Sequence, residues 1–214
     1  MKILYSLSGG SIPVIREFEI DAKTKFEAGQ LVKISTDGAI ETDVIGACIG
    51  VAAEDHTGEK DILNARNYGT KLRVDITKNG VYAVDAPRIV ATGGSASTMI
   101  CSFENISEDL VGAKLVLVQK GENSVNTASV GSVRKVKSVS ISSSAATFTL
   151  DTGSVTDAGD VYALMPLYGF KGNISDDGKG FSCTMGSVAA DLYVVNYNTD
   201  TLTLEVMPDK NYID

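Results

Sequence analysis

The chain has 214 residues, of which 43% are hydrophobic and 21% charged, so it is long enough to bury a sizeable core in one large or two small domains. Its net charge of −8 argues against a nucleic-acid binder, because neutralising phosphate groups requires clustered Lys and Arg. Tryptophan is absent and 21 residues are glycine, a composition that, with many Ser, Thr and Val residues, favours strands and turns.

The three cysteines, Cys48, Cys101 and Cys183, are widely spaced and form no C-x-x-C pair, which argues against a disulfide framework or a zinc site. We therefore expect buried, reduced thiols. No stretch approaches the length of a membrane span, and the apolar run at the N-terminus is too short for a signal-peptide core. These patterns predict a protein made in a reducing cytosol, with no membrane as a partner.

Residues 1–20 are predicted to form an extended N-terminal arm. Gly9 and Gly10 give the backbone conformational freedom, and Pro13 has no backbone N–H to donate to a neighbouring strand. Apolar and polar residues alternate again over residues 14–20. Two interpretations are open. The arm adds a strand to the sheet edge of a partner, or it is the first strand of its own domain.

Residues 21–99 are predicted to form a small β-barrel-like domain. Asp37 and Gly38 follow the alternating residues 31–35 and are a hairpin signal, because this dipeptide accepts the positive φ angles of a tight turn. Residues 49–53 form a short apolar run between turn residues, which is typical of a strand buried on both faces.

A second hairpin is predicted around Asn79 and Gly80, which also suit a tight turn. The alternation over residues 72–77 predicts the strand before this turn, and residues 81–84 are predicted to return from it. Residues 54–68 lack a strand pattern and predict a long surface loop, the kind of segment that often carries contacts to partners.

Residues 100–214 are predicted to form a second β-rich domain. Strands are predicted at residues 114–118 and 161–164, and hairpins at residues 132–150 and 192–206. Because these strands follow one another without regular helices between them, antiparallel sheets are expected. The predicted fold class is therefore all-β, with two small antiparallel β-barrel or sandwich domains and an extended N-terminal arm.

The sequence contains no recognisable catalytic set. His56 is the single histidine, so a metal site built on it lacks further histidine or paired cysteine ligands, and we expect an exposed loop residue. The aspartates within residues 151–160 and 176–178 could bind calcium, but they do not match an EF-hand, and Asp-Gly pairs are common in β-turns. We predict no catalytic residue, no metal ligand and no cofactor.

The first domain carries a pattern in which a Gly-x-Leu-Val strand leads to a polar hairpin, then to an Ile-Gly-Val-Ala strand, and then to a Gly-x-x-Leu-x-Val strand and a closing hairpin. Over residues 24–84 this pattern resembles the small β-barrel domains of tailed-phage capsid decoration (cement) proteins. The resemblance does not extend to residues 100–214. The matching positions are Gly29, Leu31, Val32, Ile49, Gly50, Val51, Ala52, Gly69, Leu72 and Val74.

The resemblance implies a non-enzymatic virion structural protein that binds and stabilises the outer surface of a phage capsid. It implies the major capsid protein as the partner, a homo-oligomer with a trimer favoured, and a location on the capsid surface after synthesis in the host cytoplasm. The arm and the first domain would face the shell, and the second domain would face solvent or a host surface. The implied capsid contacts are Ile12, Pro13, Val14, Ile15 and His56.

A competing interpretation is a carbohydrate- or surface-binding β-module, such as a head-fibre or tail adhesion component. It requires an exposed aromatic platform or a metal-assisted site. The eight tyrosines could supply a platform, although several stand in predicted strands, where packing in the core is expected. An enzyme is disfavoured, because no nucleophile–base pair or metal-ligand set is evident.

Overall fold

The computed structural model describes residues 2–6, 14–20, 24–34, 40–41, 47–56, 71–76, 80–102, 106–142, 145–174, 180–183 and 192–208. These residues form 17 β-strands and one short 3-10 helix, so the predicted all-β fold class is confirmed. The elements are β1 (Lys2–Ser6), β2 (Ile15–Glu19), β3 (Leu31–Ile34), β4 (Ile40–Glu41), β5 (Ala47–Ala52), β6 (Lys71–Asp75), β7 (Gly80–Asp85), β8 (Arg88–Gly94), β9 (Thr98–Cys101), the 3-10 helix (Glu108–Leu110), β10 (Lys114–Gln119), β11 (Val133–Ile141), β12 (Ala146–Leu150), β13 (Val161–Met165), β14 (Lys171–Ile174), β15 (Phe181–Ser182), β16 (Leu192–Asn198) and β17 (Thr203–Pro208).

The strands pair into two open sheets and one closed barrel. The first open sheet has the order β1-β7-β17-β16-β14-β15, and the second has the order β2-β6-β5-β3-β4. The barrel has the order β10-β11-β12-β9-β8-β13 and closes where β13 pairs with β10. Every pair of strands is antiparallel, as the sequence predicted.

Every second side chain of some barrel strands is buried in the barrel interior, in line with the alternation of their sequences. On β12, Ala146, Phe148 and Leu150 are buried and alternate with half-buried threonines. Strands β10 and β13 are instead buried over consecutive residues, including Leu115 and Leu164. This is typical of strands covered on both faces. Barrel residues and residues of the first open sheet belong to one hydrophobic cluster, so the two structures share a core.

In the second open sheet, buried residues lie on both faces of β3 and β5, whereas β6 alternates between exposed and buried residues. Val32 and Ala52 belong to a separate small cluster with Leu72 and Val74, whereas Leu31 and Val51 belong to the main core cluster. The predicted strand at residues 49–53 is confirmed as β5. A Cβ atom at Gly50 would overlap the carbonyl oxygen of Asp75, so the close approach of β5 and β6 requires glycine there. The buried residues of this second cluster are Ile20, Phe26, Val32, Ile40, Ala52, Leu72 and Val74.

Several predicted hairpins are confirmed. Strands β3 and β4 pair as predicted, as do β11 with β12 and β16 with β17. The last hairpin is closed by Asn198, whose side-chain oxygen accepts hydrogen bonds from the backbone of Asp200 and Thr201. The two described cysteine side chains, Cys101 and Cys183, are buried and free, as predicted.

The predicted hairpin around Asn79 and Gly80 is wrong. Strand β6 pairs with β2 and β5, whereas β7 pairs with β1 and β17 in the other open sheet. The chain therefore passes from one sheet to the next at this point. Alternation identified both strands correctly, but it carries no information about which partner each strand takes.

The sheets do not follow the predicted division into residues 21–99 and 100–214. That boundary falls inside β9, which pairs with β8 on one side and with β12 on the other. Strand β7, assigned to the first domain, pairs with β17 near the end of the chain. The barrel, residues 88–165, is thus inserted between two strands of the first open sheet.

Candidate functional site

The N-terminal segment borders both open sheets. Strand β1 is the outermost strand of the first sheet and pairs with β7, and β2 is the outermost strand of the second sheet and pairs with β6. Of the two interpretations of residues 1–20, the described parts show internal pairing. We call β1 together with residues 14–19 the N-terminal edge. Outermost strands present backbone groups on one side, to which another chain can add a strand.

The second half of the N-terminal edge is strongly exposed. Val14 and Ile15 are 46% and 42% exposed, and along β2 only Phe18 is half-buried. Within the described part of the chain, no strand lies along the far side of β2. Glu17 lies 3.9 Å from Lys71 on β6, and both side chains are exposed, so this ion pair contributes little to stability.

The structure brings only some of the predicted contact residues together. Val14 and Ile15 lie side by side at the exposed edge, whereas Ile12 and Pro13 lie outside the described residues. The prediction that His56 is an exposed loop residue is wrong, because it is only 3% exposed. A side chain this buried does not form part of an exposed surface.

His56 joins two backbone segments. Its backbone forms a two-way bridge with Phe26, with N–O distances of 2.9 and 2.8 Å, and its Nδ1 lies 2.8 Å from the carbonyl oxygen of Thr24. Its ring packs edge-to-face on the ring of Phe26 at 6.4 Å. Beside it, Asp55 accepts a hydrogen bond from the backbone of Ala28 at 2.7 Å. His56 is therefore buried because its backbone and ring make structural contacts with the segment of Thr24 and Phe26.

We expect His56→Ala to lower the free energy of unfolding by about 1–3 kcal/mol, because it removes a buried ring contact and the side-chain partner of the partly buried Thr24 carbonyl oxygen. Urea unfolding monitored by circular dichroism measures this change. Lys25→Ala, an exposed neighbour, is the matched control and should change stability by less than about 0.5 kcal/mol. Equal effects of the two substitutions would contradict the structural role.

A buried polar network occupies one end of the barrel. Asp160 is fully buried, and its carboxylate accepts hydrogen bonds from the backbone of Gly121 at 3.0 Å, from Asn126 Nδ2 at 2.8 Å and from the backbone of Asp157 at 3.2 Å. Asn126 Nδ2 also donates to Tyr162 Oη at 3.1 Å. The network ties the loop after β10 to the loop before β13.

The same end of the barrel contains a buried arginine. Arg134, on β11, is 7% exposed, and its guanidinium is surrounded by oxygen atoms. Nη1 donates to the carbonyl oxygen of Ser154 at 3.0 Å and to Thr156 Oγ1 at 3.3 Å, and Nη2 donates to the carbonyl oxygens of Ala96 at 2.6 Å and Asp151. Nε makes no hydrogen bond to any described residue and lies 3.8 Å from Asp151 Oδ1. One side chain therefore holds two loops together, the loop between β8 and β9 and the loop between β12 and β13.

These contacts account for the aspartates of residues 151–160. Asp151 accepts from the backbone of Lys135, and Asp157 accepts from the backbone of Val125 and Ala158. Within the described residues, no three His, Cys, Asp or Glu side chains converge as metal ligands would. The aspartates of residues 176–178, the other calcium candidates, lie outside the described part of the chain.

The environment of the network shifts the pKa values of its groups. Burial raises the pKa of Asp160, but hydrogen bonds from Asn126, Gly121, Ser124 and Asp157 outweigh burial and hold the pKa below its ordinary value. Burial raises the pKa of Tyr162, and burial elsewhere in the core raises that of Cys101 to about 11. A carboxylate held ionised in one network with a neutral phenol is typical of structural groups. It offers no base poised near neutral pH.

Sequence reasoning missed both the arginine and the network, although one signal was present. Arg134 stands two residues before Val136, and both are buried positions in the alternation of β11. A charged residue at an inward position predicts a buried, multiply hydrogen-bonded side chain. Nothing comparable in the sequence marks Asn126, because its burial depends on an irregular loop folding over the barrel.

A cleft of about 380 Å³ lies where the two open sheets meet. The described part of its lining includes the carboxylates of Glu27 and Asp85 but no basic residue, histidine or cysteine. The remaining lining residues are Ala28, Gly29, Gln30, Ala83, Val84 and Thr203.

The described tyrosines do not form an aromatic platform. Tyr82 and Tyr162 are buried in the core, and the Tyr197 ring lies 5.0 Å from Lys114 Nζ in a cation–π contact. Tyr168 is 75% exposed in the turn between β13 and β14, next to Leu167 at 44%. It is the one strongly exposed aromatic side chain among the described residues.

Comparison with known proteins gives no relative. No protein-family model, no curated protein and no solved structure matches the chain. Among the described residues, no helix is long and apolar enough to span a membrane.

Proposed function

We propose that the chain is a non-enzymatic virion structural protein of a tailed phage, which binds and stabilises the outer surface of the capsid. The observation that carries this proposal is the N-terminal edge, the outer border of two sheets, whose second part, residues 14–19, is exposed and begins with the apolar pair Val14 and Ile15. The resemblance of residues 24–84 to decoration proteins supplies the partner class, the major capsid protein.

The edge has the features of a strand-addition site. An extended segment of a capsid subunit that pairs with β2 gains main-chain hydrogen bonds, and the exposed side chains of Val14 and Ile15 supply apolar contacts at the end of the strand. Arg16, Glu17 and Glu19 along β2 oppose indiscriminate pairing with other strands, because charged residues protect an exposed sheet edge.

Oligomerisation strengthens such binding. A single contact of standard size buries about 1,600 Å² in total, and engaging several capsid subunits at once raises the overall affinity without new contacts. The homo-oligomer that we propose, a trimer, would present one N-terminal edge for each copy at a junction between capsid subunits.

The double substitution Val14→Glu, Ile15→Glu is expected to weaken capsid binding by at least about tenfold, since two apolar contacts are replaced by charges at the edge. Purified protein is mixed with expanded empty capsids of the phage that encodes it, the capsids are sedimented, and the bound fraction is titrated. Deleting residues 1–13 is a less clean test, because it also removes β1 and uncovers β7.

Val90→Glu is the matched control, because Val90 is a valine at 55% exposure on β8 of the barrel. It should leave capsid binding unchanged. Saturable binding of the wild type that the double substitution alone weakens supports the proposal. Equal binding by all three proteins contradicts the assignment of the edge, and no binding by the wild type contradicts the function.

Exposed Tyr168 favours the second candidate, a carbohydrate- or surface-binding module. A single ring offers one stacking surface, whereas sugar-binding sites need polar partners arranged around it. Screening the wild type and Tyr168→Ala on a glycan array distinguishes the candidates. Binding of a defined glycan that the substitution abolishes would favour the module over the decoration protein.

A further inference from the structure

One side of β2 points backbone hydrogen-bonding groups away from its sheet. The N–H of Ile76 donates to the carbonyl oxygen of Val14 at 2.8 Å, and on the other side of β6 the N–H of Ala53 donates to the carbonyl oxygen of Arg73 at 2.8 Å. Because hydrogen-bonded and non-hydrogen-bonded pairs alternate along an antiparallel ladder, every second residue of β2 directs its N–H and C=O outward. These residues are Ile15, Glu17 and Glu19. Within the described part of the chain, no strand pairs with them.

The side chains of the same three residues share one face of the sheet, where acidic charge is in excess. Glu17 and Glu19 share a single lysine, because Lys71 stands opposite Glu19 and its Nζ lies 3.9 Å from Glu17. Nη1 of Arg73, which stands opposite Glu17, lies 3.9 Å from Glu54. A strand that adds at this edge is therefore stabilised most by basic side chains opposite the two glutamates.

The other face of β2 carries the open side of the second core. Phe18 is half-buried and packs against the cluster that contains Leu72 and Val74, so an apolar side chain opposite Phe18 would cover the rest of its ring. Arg16 is exposed on the same face, and an acidic side chain opposite it would form an ion pair. Ile15, which is 42% exposed on the first face, favours a further apolar residue.

A second copy of β2 does not meet these requirements. In antiparallel pairing about a two-fold axis, residues that share a face stand only opposite one another. Glu17 and Glu19 of one copy would then face the same glutamates or Ile15 of the other copy, and neither carboxylate would face a cation. The edge therefore selects a segment of different sequence.

We propose that β2 binds an extended, basic segment of a partner protein, which adds to the second open sheet as a further antiparallel strand. Read from its N-terminus, the segment carries basic, apolar, basic, acidic and apolar residues. They stand opposite Glu19, Phe18, Glu17, Arg16 and Ile15, in that order. Main-chain hydrogen bonds supply affinity, and the alternating side chains supply specificity. The inference rests on the proposed function, to which it adds the chemistry of the capsid segment.

Fluorescence anisotropy of a labelled peptide, Gly-Ser-Lys-Val-Arg-Glu-Val-Ser-Gly, titrated with the purified protein at low salt tests the inference. We expect saturable binding to the wild type. The double substitution Glu17→Lys, Glu19→Lys should weaken this binding by at least about tenfold, because two attractive pairs become like-charge contacts. The same peptide with glutamate at both basic positions should bind the variant at least about tenfold more tightly than the wild type.

Glu122→Lys with Asp200→Lys is the matched control, because both side chains are exposed in turns outside the second open sheet. It changes the net charge by the same amount and should leave peptide binding unchanged. Peptides methylated at one backbone nitrogen test the strand pairing with the wild-type protein alone. Methylation of the residue opposite Glu17 removes a donor that faces β2 and should weaken binding by at least about tenfold, whereas methylation of the residue opposite Phe18 points away and should be tolerated.

Three results overturn the inference: no binding of the peptide to the wild type, equal binding by the wild type and the edge variant, or equal losses from the two methylated peptides. Capsid binding that an excess of the peptide does not compete away also overturns it, and leaves the proposed function standing. Peptide binding without capsid binding leaves this inference standing and removes the proposed function.

Discussion

Arg134→Ala is expected to lower the free energy of unfolding by about 3–5 kcal/mol, the largest effect among the substitutions proposed for this protein. The substitution leaves the carbonyl oxygens of Ala96, Asp151 and Ser154 without their donor, and it opens a cavity at the end of the barrel. Arg134→Lys should recover only part of the loss, since one ammonium group does not reach all the acceptors of a planar guanidinium. Urea unfolding measures both variants.

Lys137→Ala is the matched control for Arg134, because Lys137 is an exposed cation on the same strand. Its effect should be within about 0.5 kcal/mol of zero, as for most surface substitutions. If Arg134→Ala costs less than about 1 kcal/mol, the guanidinium does not hold the loops together, and the hydrogen bonds of the barrel end are replaced by water without loss.

Asp160→Asn is expected to cost about 2–4 kcal/mol at pH 7, because one side-chain oxygen that accepts hydrogen bonds becomes a donor facing other donors. The donors affected are among Gly121 N, Asn126 Nδ2 and Asp157 N. Amide hydrogen exchange over residues 121–126 should accelerate in the variant, because the carboxylate fixes that loop to the barrel.

The same carboxylate predicts a pH dependence with a definite sign. The folded-state pKa of Asp160 lies below the ordinary value of 3.8, so the folded state binds its proton less readily than the unfolded state does. The stability that the ionised Asp160 carboxylate contributes is therefore fully present above the ordinary pKa of 3.8. It is lost as the pH falls through the lower pKa of the folded state. Comparing unfolding at pH 7 and pH 3, Asp160→Asn should lose less stability than the wild type.

Asp200→Asn, at an exposed turn, should retain the wild-type pH dependence and serves as the control for Asp160. A wild type and an Asp160→Asn variant that lose equal stability between pH 7 and pH 3 would contradict the assignment. The acid sensitivity would then arise from other carboxylates.

Local sequence signals predicted the elements of this fold well. Alternation identified β6, β11 and β17, and turn residues identified the hairpins β3–β4 and β16–β17, because strands joined by a short turn pair with each other. The 3-10 helix also carries a local signal, because Ser107 Oγ caps it by accepting from the backbone of Asp109 at 3.2 Å.

The pairing of distant strands was not predictable in the same way. Strand β7 takes one neighbour from each end of the chain, and no local pattern records such a choice. Gly93 and Gly94 resemble either a linker or a turn in sequence, and they end β8 just before the turn to β9 in the closed barrel. Gly94 has a φ of 159°, and a Cβ atom there would overlap the carbonyl oxygen of Thr98, so the glycine serves a close approach of two strands.

The residues predicted to contact a partner differ in their exposure. Val14 and Ile15 were assigned to that surface because they belong to a Gly-hinged, proline-containing arm, and both side chains are exposed. His56 was misplaced because a polar sequence around a histidine predicts exposure, whereas its burial depends on packing against Phe26, a residue 30 positions earlier. Burial of polar residues by distant segments has no local signature.

The insertion of the barrel into the first open sheet sets the order in which the protein can fold during synthesis. Strand β7 leaves the ribosome before the barrel, but its partner β17 ends at Pro208, near the end of the chain. The barrel strands are complete by Met165, so the barrel can close on the ribosome while β7 still waits for β17. Among the described strands of that sheet, β1 is the neighbour of β7 that is made early enough to cover its edge during that interval, so β1 can shield β7 in the nascent chain before the sheet is complete.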